Sequence, residues 1–145
     1  MTYIFRKINE ADFPKLIKLF NEFSEFEKTP EKMLNSIERM KKEQEYVNGF
    51  VAITNNDIIA YVTYFFTYHT WIGKSLYMDD LYVKPNYRNN KIGGKLLDLV
   101  ISQGREANCR KLRWQVSNWN EKAQEFYKRI GAEIDDVEIN CELKL

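Results

Sequence analysis

The sequence has little of what several common kinds of active site require. Histidine occurs once, as His69, and cysteine twice, as Cys109 and Cys141. A zinc site built by the protein or a Ser-His-Asp triad needs more ligands and partners than these, which argues against both. The two cysteines form no motif, so we expect reduced thiols in a cytoplasmic protein, with no disulfide and no metal site.

Long apolar runs and an excess of one charge are also missing. No apolar stretch approaches the roughly 20 residues that cross a bilayer, and the start MTYIFRKINEADF lacks the apolar region of a signal peptide. We therefore expect neither membrane insertion nor secretion. The net charge is +1 with acids and bases interspersed, which gives no case for nucleic-acid binding. The 145 residues fit one domain with one core.

What is present is an alternation of strand-like and helical patterns. Strands are expected at residues 3–8, 50–54, 58–67, 74–83, 112–116, 132–134 and 137–145. Helices are expected from the cap at Asn9 or Asp12 to Phe23, from Thr29-Pro30 to before Val47, from Gly93 through Ile101, and from Asn120 to Ile130. This order predicts an α/β protein with a mixed sheet of six to seven strands and about four helices.

A candidate phosphate site lies in the segment YMDDLYVKPNYRNNKIGGKLL, from Tyr77 to Leu97. A strand ends here, a basic loop follows, and a glycine-bearing helix begins, which is how backbone N–H groups are presented to an anion. Arg88 and Lys91 would add charge, and Gly93-Gly94 would permit close approach. The alternative is that the two glycines only make a tight turn between strand and helix.

The adjacent acids Asp79 and Asp80 precede this loop. Neighbours in a strand point to opposite faces, so both can line one pocket only if the strand carries a bulge. One acid would then face the site and help to remove a proton through water. The alternative is an exposed strand edge with two solvated acids.

Two further stretches carry candidate side chains. In the helix NEKAQEFYKRIGA, Phe126 and Ile130 share the face expected to be core, and Tyr127 lies off that stripe, where its phenol would donate a proton or simply reach water. In the stretch YFFTYHTWIGKSLY, Trp71, together with acids such as Glu27 or Asp79, would hold an ammonium by cation–π and charge contacts, or would only pack in the core.

These pieces, in this order, resemble the GNAT superfamily of N-acetyltransferases. Its signature, Gln/Arg-x-x-Gly-x-Gly/Ala, is matched by Arg88 and Gly93, whereas Lys91 stands at the first glycine. A lysine there either avoids a positive φ or adopts it under strain. The stretches YFFTYHTWIGKSLYMDDLYV and SNWNEKAQEFYKRIGA are most similar to the spermidine/spermine (diamine) branch, which includes thialysine acetyltransferases. The resemblance covers most of the chain, to Ala132.

The resemblance implies an acyl-CoA N-acyltransferase fold of one domain over residues 1–145, with acetyl-CoA as co-substrate. By position, Tyr127 is the general acid for the CoA thiolate and Asp79 helps to deprotonate the amine through water. Glu27, Trp71 and Asp80 match amine-side positions. The residues expected along acetyl-CoA are Leu81, Tyr82, Val83, Arg88, Asn89, Asn90, Lys91, Ile92, Gly93, Gly94, Asn120, Ala123 and Tyr127.

The expected activity is direct transfer of the acetyl group, in a ternary complex, to a primary amine of a small diamine, polyamine or amino-acid-like molecule. The resemblance puts an acid at the position of His69 in the polyamine enzymes, which weakens the case for spermine and makes a shorter diamine or an amino acid with a terminal amine at least as good a candidate. The alternatives are acetylation of a protein N-terminus or lysine, and a CoA-binding module without efficient turnover. A homodimer is expected by analogy with the family.

Overall fold

The computed structural model describes residues 1–145. Its contacts divide the chain into two units, residues 1–114 and residues 115–145. The first unit contains β1 (Ile4–Lys7), α1 (Phe13–Phe26), α2 (Ile37–Lys42), β2 (Asn48–Thr54), β3 (Asp57–His69), β4 (Gly73–Val83), α3 (Ile92–Glu106) and β5 (Leu112–Arg113). The second unit contains α4 (Glu121–Arg129).

The sheet has the order β1-β2-β3-β4-β5. The first four strands are antiparallel, and β5 runs parallel to β4. The β2–β3 hairpin turns at Asn55-Asn56, where both residues have positive φ (50° and 58°). This is the conformation of a two-residue hairpin turn, and it joins the strands predicted at 50–54 and 58–67.

The core of the first unit forms where the apolar stripe of α1 packs against the sheet. Phe13, Leu16 and Leu19 are buried there together with Val51 and Tyr61. The helix predicted from Gly93 is confirmed as α3, and its apolar residues Ile92, Leu96, Leu97 and Val100 are also buried. The packed sheet and helices hold β4 and the start of α3 in place, and both candidate site segments lie there.

The second helix was predicted too long. Pro30–Lys32 forms only a 3-10 turn, Met33 is extended, and the helix begins at Ile37. The Ser36 side chain caps it by accepting a bond from the Arg39 N–H, and the Asn35 side chain accepts from the Ser36 N–H. Short polar side chains that bond to the local backbone compete with a continuous helix, and here they set the helix start.

The strands predicted at 132–134 and 137–145 are wrong, and the sheet has five strands rather than six or seven. The apolar residues Val137, Ile139, Leu143 and Leu145 do alternate with polar ones, but all four side chains are exposed. Alternation is a local signal, whereas a strand also needs a partner for its backbone groups. The predicted strand at 112–116 is likewise shorter, at Leu112–Arg113.

Candidate active site

A β-bulge lies at the acidic pair in β4. Thr63 of β3 pairs with Asp80, and the next residue, Tyr64, pairs with Met78, so Asp79 has no partner on β3. The extra residue re-aims the side chains on either side of it. The bulge that the two adjacent acids require, if both are to serve one site, is therefore present.

Asp80 is held from the neighbouring strand. The Tyr61 hydroxyl donates to its carboxylate at 2.8 Å, and its backbone N–H donates to Thr63 Oγ1 at 3.1 Å. Burial, together with the charges of Asp79 and Glu27, raises the pKa of Asp80 to about 6, and the bond from Tyr61 opposes the rise. Asp80 therefore changes charge close to neutral pH.

Asp79 is more accessible than its neighbour, but it belongs to the same electrostatic group. The residue is exposed, and partial desolvation by the surrounding protein still raises the pKa of its carboxyl group. The charges of Asp79 and Glu27 both act on Asp80. Three carboxyl groups thus share one region of the first unit, and such a group favours a bound cation, since an ammonium relieves the repulsion between them.

Beyond the acids, β4 has an edge without a strand partner. The β4–β5 pairing covers only Leu76 and Tyr77. The N–H groups of Asp80 and Lys84 donate toward β3. Since backbone groups alternate in direction along a strand, those of Leu81 and Val83 face the opposite edge, where β5 no longer runs alongside. The N–H groups of Leu81 and Val83 are therefore not bonded to a neighbouring strand.

Tyr82 of β4 and Arg88 of the following loop both contact aromatic rings of α1. Tyr82 is buried, its ring stacks on Phe23 at 5.1 Å, and its hydroxyl lies 3.3 Å from Glu22 Oε2. The Arg88 guanidinium lies 4.9 Å from the Phe26 ring centre, and its Nε donates to the Val83 carbonyl at 2.9 Å. Arg88 therefore ties the loop to β4 and α1 in addition to supplying charge.

The loop before α3 takes its shape from residues other than glycine. Asn89 (φ 65°) and Lys91 (φ 61°) both have the left-handed conformation, and the Asn90 side chain donates to the carbonyls of Tyr87 and Arg88. Lys91, which replaces the first signature glycine, thus adopts a positive φ instead of avoiding it. That conformation is strained for a residue with a Cβ.

Gly93 and Gly94 are not needed for the turn itself. Neither has a positive φ, a Cβ on Gly93 would meet only Val83 Cγ2 at 3.8 Å, and a Cβ on Gly94 would meet nothing within 4 Å. By contrast, a Cβ on Gly104 would come within 3.1 Å of Leu76. The fold requires room at Gly104, whereas at Gly93 and Gly94 it leaves open space in the first turn of a helix, which fits the close approach of an anionic group.

The second unit presents α4. Asn120 Oδ1 accepts from the Ala123 N–H at 3.2 Å, which confirms the predicted helix start, and Gly131 follows the helix with φ 93°. The predicted core face is wrong, because Tyr127 is the buried member, while Phe126 is half-buried and Ile130 is 47% exposed. On so short a helix, the face with Phe126 and Ile130 and the face with Ala123 and Tyr127 are similarly apolar, so the periodicity does not show which of the two is buried.

Within one chain, Trp71 does not lie near Asp79 and Asp80. It lies in the turn between β3 and β4 and is 91% exposed. Asp79 follows Gly73 by six strand residues, a separation of roughly 20 Å. Sequence reasoning missed Tyr61 and Thr63, which lie on β3 opposite the Asp80 region of β4. They could have been identified by aligning β3 and β4 as a hairpin, because that register brings them close to Asp80.

The structure has neither a metal-binding cluster nor a membrane-spanning helix. No group of three or more histidine, cysteine, aspartate or glutamate side chains is arranged to hold a metal ion. None of the helices is long and apolar enough to cross a membrane.

Comparison with known proteins identifies relatives over most of the chain. Residues 13–132 match the acetyltransferase (GNAT) family. Thialysine N-epsilon-acetyltransferase of Bos taurus is 31% identical over 140 residues, which cover 88% of this chain and 82% of that protein. The protein of the same name from Caenorhabditis elegans is 30% identical over 118 residues, covering 80% and 74%. The D-amino-acid N-acetyltransferase HPA3 of Saccharomyces cerevisiae is 26% identical, covering 92% and 87%.

Solved structures share the fold. A crystal structure of an aminoglycoside acetyltransferase from an uncultured soil metagenomic sample superimposes with a TM-score of 0.82 at 24% identity, over 98% of this chain and 97% of that one. An integron cassette protein of V. cholerae gives a TM-score of 0.80 at 21% identity, over 99% and 93%. At these identities the likeness concerns the fold alone.

Proposed function

The chain belongs to the GNAT family of acetyltransferases and is an acetyl-CoA-dependent N-acetyltransferase; on that premise, we propose that its acceptor is the primary amine of a small diamine, polyamine or amino-acid-like molecule. The observation that carries the proposal is the bulge in β4, which places Asp79 and Asp80 side by side in a region that Glu27 also reaches electrostatically. Carboxylates gathered in this way recognise an ammonium.

The acids have two tasks in this proposal. An alkyl ammonium has a pKa of about 10.4, so it reaches the site with a proton that it must lose before it can attack. Asp80 and Glu27 hold the cation, and Asp79, the more exposed acid, takes the proton through water. The raised pKa of Asp79 makes it a better base than an ordinary aspartate near neutral pH.

The donor side is built from backbone groups. Residues 89–94 hold the pyrophosphate, with added charge from Lys91 and Arg88, and the free edge at Leu81 and Val83 pairs with the pantetheine arm. Tyr82 contributes its ring to the wall of the site rather than its backbone N–H. When bound, acetyl-CoA supplies an activated acetyl group whose C–S bond breaks as the new C–N bond forms.

The proposed general acid is Tyr127, with Asn120 and Ala123 beside the cofactor. Tyr127 is buried on α4, where its phenol is shielded from bulk water, and it would protonate the departing thiolate. Transfer is direct, in a ternary complex. The exposed Cys141 and the partly exposed Cys109 lie in no catalytic motif, so no acyl-cysteine step is invoked.

The relatives support a small acceptor. The bovine and nematode proteins are named for thialysine, and the yeast protein for D-amino acids. The acceptors in these names are small amines of the amino-acid class. By the resemblance, His69 stands where a polyamine enzyme has an acid, but it ends β3 at the hairpin tip near Trp71, away from Asp79 and Asp80 within one chain, so it does not set the acceptor length at these acids.

The test is to incubate the protein with acetyl-CoA and thialysine and to follow both free CoA and the mass of the amine. We expect acetyl-thialysine to form in step with CoA. If CoA raises the melting temperature but no amine gains an acetyl group, the chain is a CoA-binding module. If CoA at millimolar concentration causes no shift, the cofactor assignment is wrong.

Tyr127→Phe tests the general acid. Loss of the phenol should lower turnover by about 100-fold or more at neutral pH, because general-acid catalysis contributes that much. Tyr46→Phe is the matched control, since Tyr46 is 72% exposed and lies outside the site, and it should retain full turnover. Near-normal turnover by Tyr127→Phe would remove it from the mechanism.

A further inference from the structure

Tyr61 is a buried tyrosine for which the mechanism above has no task. Its side chain is fully buried, its ring meets Phe20 edge-on at 5.0 Å, and the Tyr82 ring lies 6.2 Å away. Packing alone would be served equally by phenylalanine. The hydroxyl instead donates at 2.8 Å to Asp80, on the strand that carries the bulge.

We infer that Tyr61 is a positioning residue of the amine site: its hydroxyl holds the Asp80 carboxylate in its ionised form beside the bulge, so that both aspartates meet the substrate ammonium as anions. This inference rests on the proposed function for the identity of the cation. It assigns to a core residue of β3 a role in amine recognition.

The groups around Asp80 define the direction of the effect. Asp79 on the same strand and Glu27 at the end of α1 oppose its ionisation, as does burial, whereas Tyr61 on β3 is the hydroxyl donor that favours it. Thr63 on β3 receives the Asp80 N–H and so fixes its backbone. Tyr82 also lies close to Tyr61, and its hydroxyl is directed to Glu22.

Removal of the Tyr61 hydroxyl therefore destabilises the ionised form of Asp80. With the opposing charges and the burial unchanged, the pKa of Asp80 rises from about 6 in Tyr61→Phe, by about one unit for a lost bond to a charged group. The site then loses one negative charge near neutral pH. The substrate affinity should fall there and recover at higher pH, while the pyrophosphate loop is unaffected.

The experiment has two arms. The first follows the aspartate carboxyl ¹³C signals of the ligand-free protein against pH, with Asp80→Asn used to assign the signal. The second measures KM for thialysine and for acetyl-CoA at pH 6.5 and pH 8.5. The variant is Tyr61→Phe. The matched control is Tyr64→Phe, which removes the same atom from a buried tyrosine of the same strand whose ring stacks on Phe50.

We expect the Asp80 titration to move up by about one unit in Tyr61→Phe and by less than about 0.2 unit in Tyr64→Phe. The KM for thialysine should rise about threefold at pH 6.5 and little at pH 8.5, with the KM for acetyl-CoA unchanged at both. A merely structural role would instead alter both KM values, or kcat, at both pH values.

An unmoved Asp80 titration in Tyr61→Phe overturns the inference, as does a moved titration with an unchanged KM for thialysine. If Tyr61→Phe does not fold, the ring ¹³Cζ signal of Tyr61 is followed in the wild-type protein instead; it should shift as Asp80 titrates, because the hydroxyl is bonded to that carboxylate, and no movement of the signal would overturn the inference. If thialysine is not acetylated by any form, the proposed acceptor fails while the titration still decides the role of Tyr61.

Discussion

The acidic site and the anion loop lie at the two ends of one segment, but they are built in different ways. At the bulge, side chains carry the chemistry: two aspartates, with Tyr61 and Thr63 of β3 bonded to one of them. In the loop, backbone geometry carries it: two residues with positive φ and two glycines with open space beside them. One site depends on ionisable groups and the other on N–H groups that do not titrate.

The difference predicts how each site fails. The acidic site should be sensitive to pH and to the removal of a single charge, because Asp79 and Glu27 oppose the ionisation of Asp80, whose pKa is about 6. The loop should be insensitive to pH in that range but sensitive to added bulk and to salt, because the proposed contacts with the anion come from backbone N–H groups and a few cations. Substitutions in one region should leave the kinetic constant of the other unchanged.

Among substitutions in these two regions, Asp79→Asn is expected to have the largest effect. The amine kcat/KM should fall by about 100-fold, and the loss should be greater at low pH, where free amine is scarcest, while the KM for acetyl-CoA is unchanged. Rates measured from pH 6 to pH 9 check this. Asp98→Asn, at an exposed position on α3, is the control. A loss that is the same at every pH would count against Asp79 as the base.

Gly93→Ala should affect the other region. A methyl group meets only Val83 Cγ2 at 3.8 Å, so the protein should gain stability, by about 0.5–1 kcal/mol, because alanine favours the helix. The same methyl group enters the space left for the anion, and the KM for acetyl-CoA should rise by about tenfold, equivalent to about 1.4 kcal/mol of lost binding.

The control for Gly93→Ala is Gly104→Ala on the same helix. There a Cβ would come within 3.1 Å of Leu76, so we expect lower stability with an unchanged KM for acetyl-CoA. Urea unfolding and steady-state kinetics separate the two outcomes. An unchanged KM for acetyl-CoA in Gly93→Ala would place the pyrophosphate elsewhere.

Lys91 should give the smallest effect, and two substitutions separate its charge from its backbone. Lys91→Gly relieves the left-handed conformation (φ 61°) and should stabilise the fold by about 1 kcal/mol, whereas Lys91→Ala should not. Both remove one positive charge, so both should raise the KM for acetyl-CoA a few-fold and weaken its dependence on salt. Equal stability of the two variants in urea would show that the loop is not strained at this position.

Much of this fold could be predicted from local pattern. The β2–β3 hairpin, the strand that ends at Val83 and the caps of α4 at Asn120 and Gly131 follow from turn and cap residues that act over a few positions. Segment 137–145 could not be predicted, because pairing depends on a partner strand that its own alternation does not reveal. The start of α2 also failed, because the Ser36 cap was overlooked.

In the candidate site too, some features follow from the local sequence and others depend on strand register. Asp79 and Asp80 were identifiable as residues out of place in a strand, and their use in one site was correctly made conditional on a bulge. The bond from Tyr61 to Asp80 depends on the register between β3 and β4, since the two residues are 19 positions apart in the chain. Whether Lys91 has a positive φ could not be decided from the sequence, because a lysine can either avoid that conformation or adopt it under strain.

The most direct test of the account compares acceptors for the wild-type protein with acetyl-CoA at one pH. The panel contains thialysine, lysine, a short diamine, spermidine, spermine and a peptide with a free N-terminus and an internal lysine. We predict that kcat/KM for thialysine or the short diamine exceeds that for the peptide by at least about tenfold, because the paired carboxylates bind a compact ammonium. Acetylation of the peptide in preference to every small amine would contradict the account.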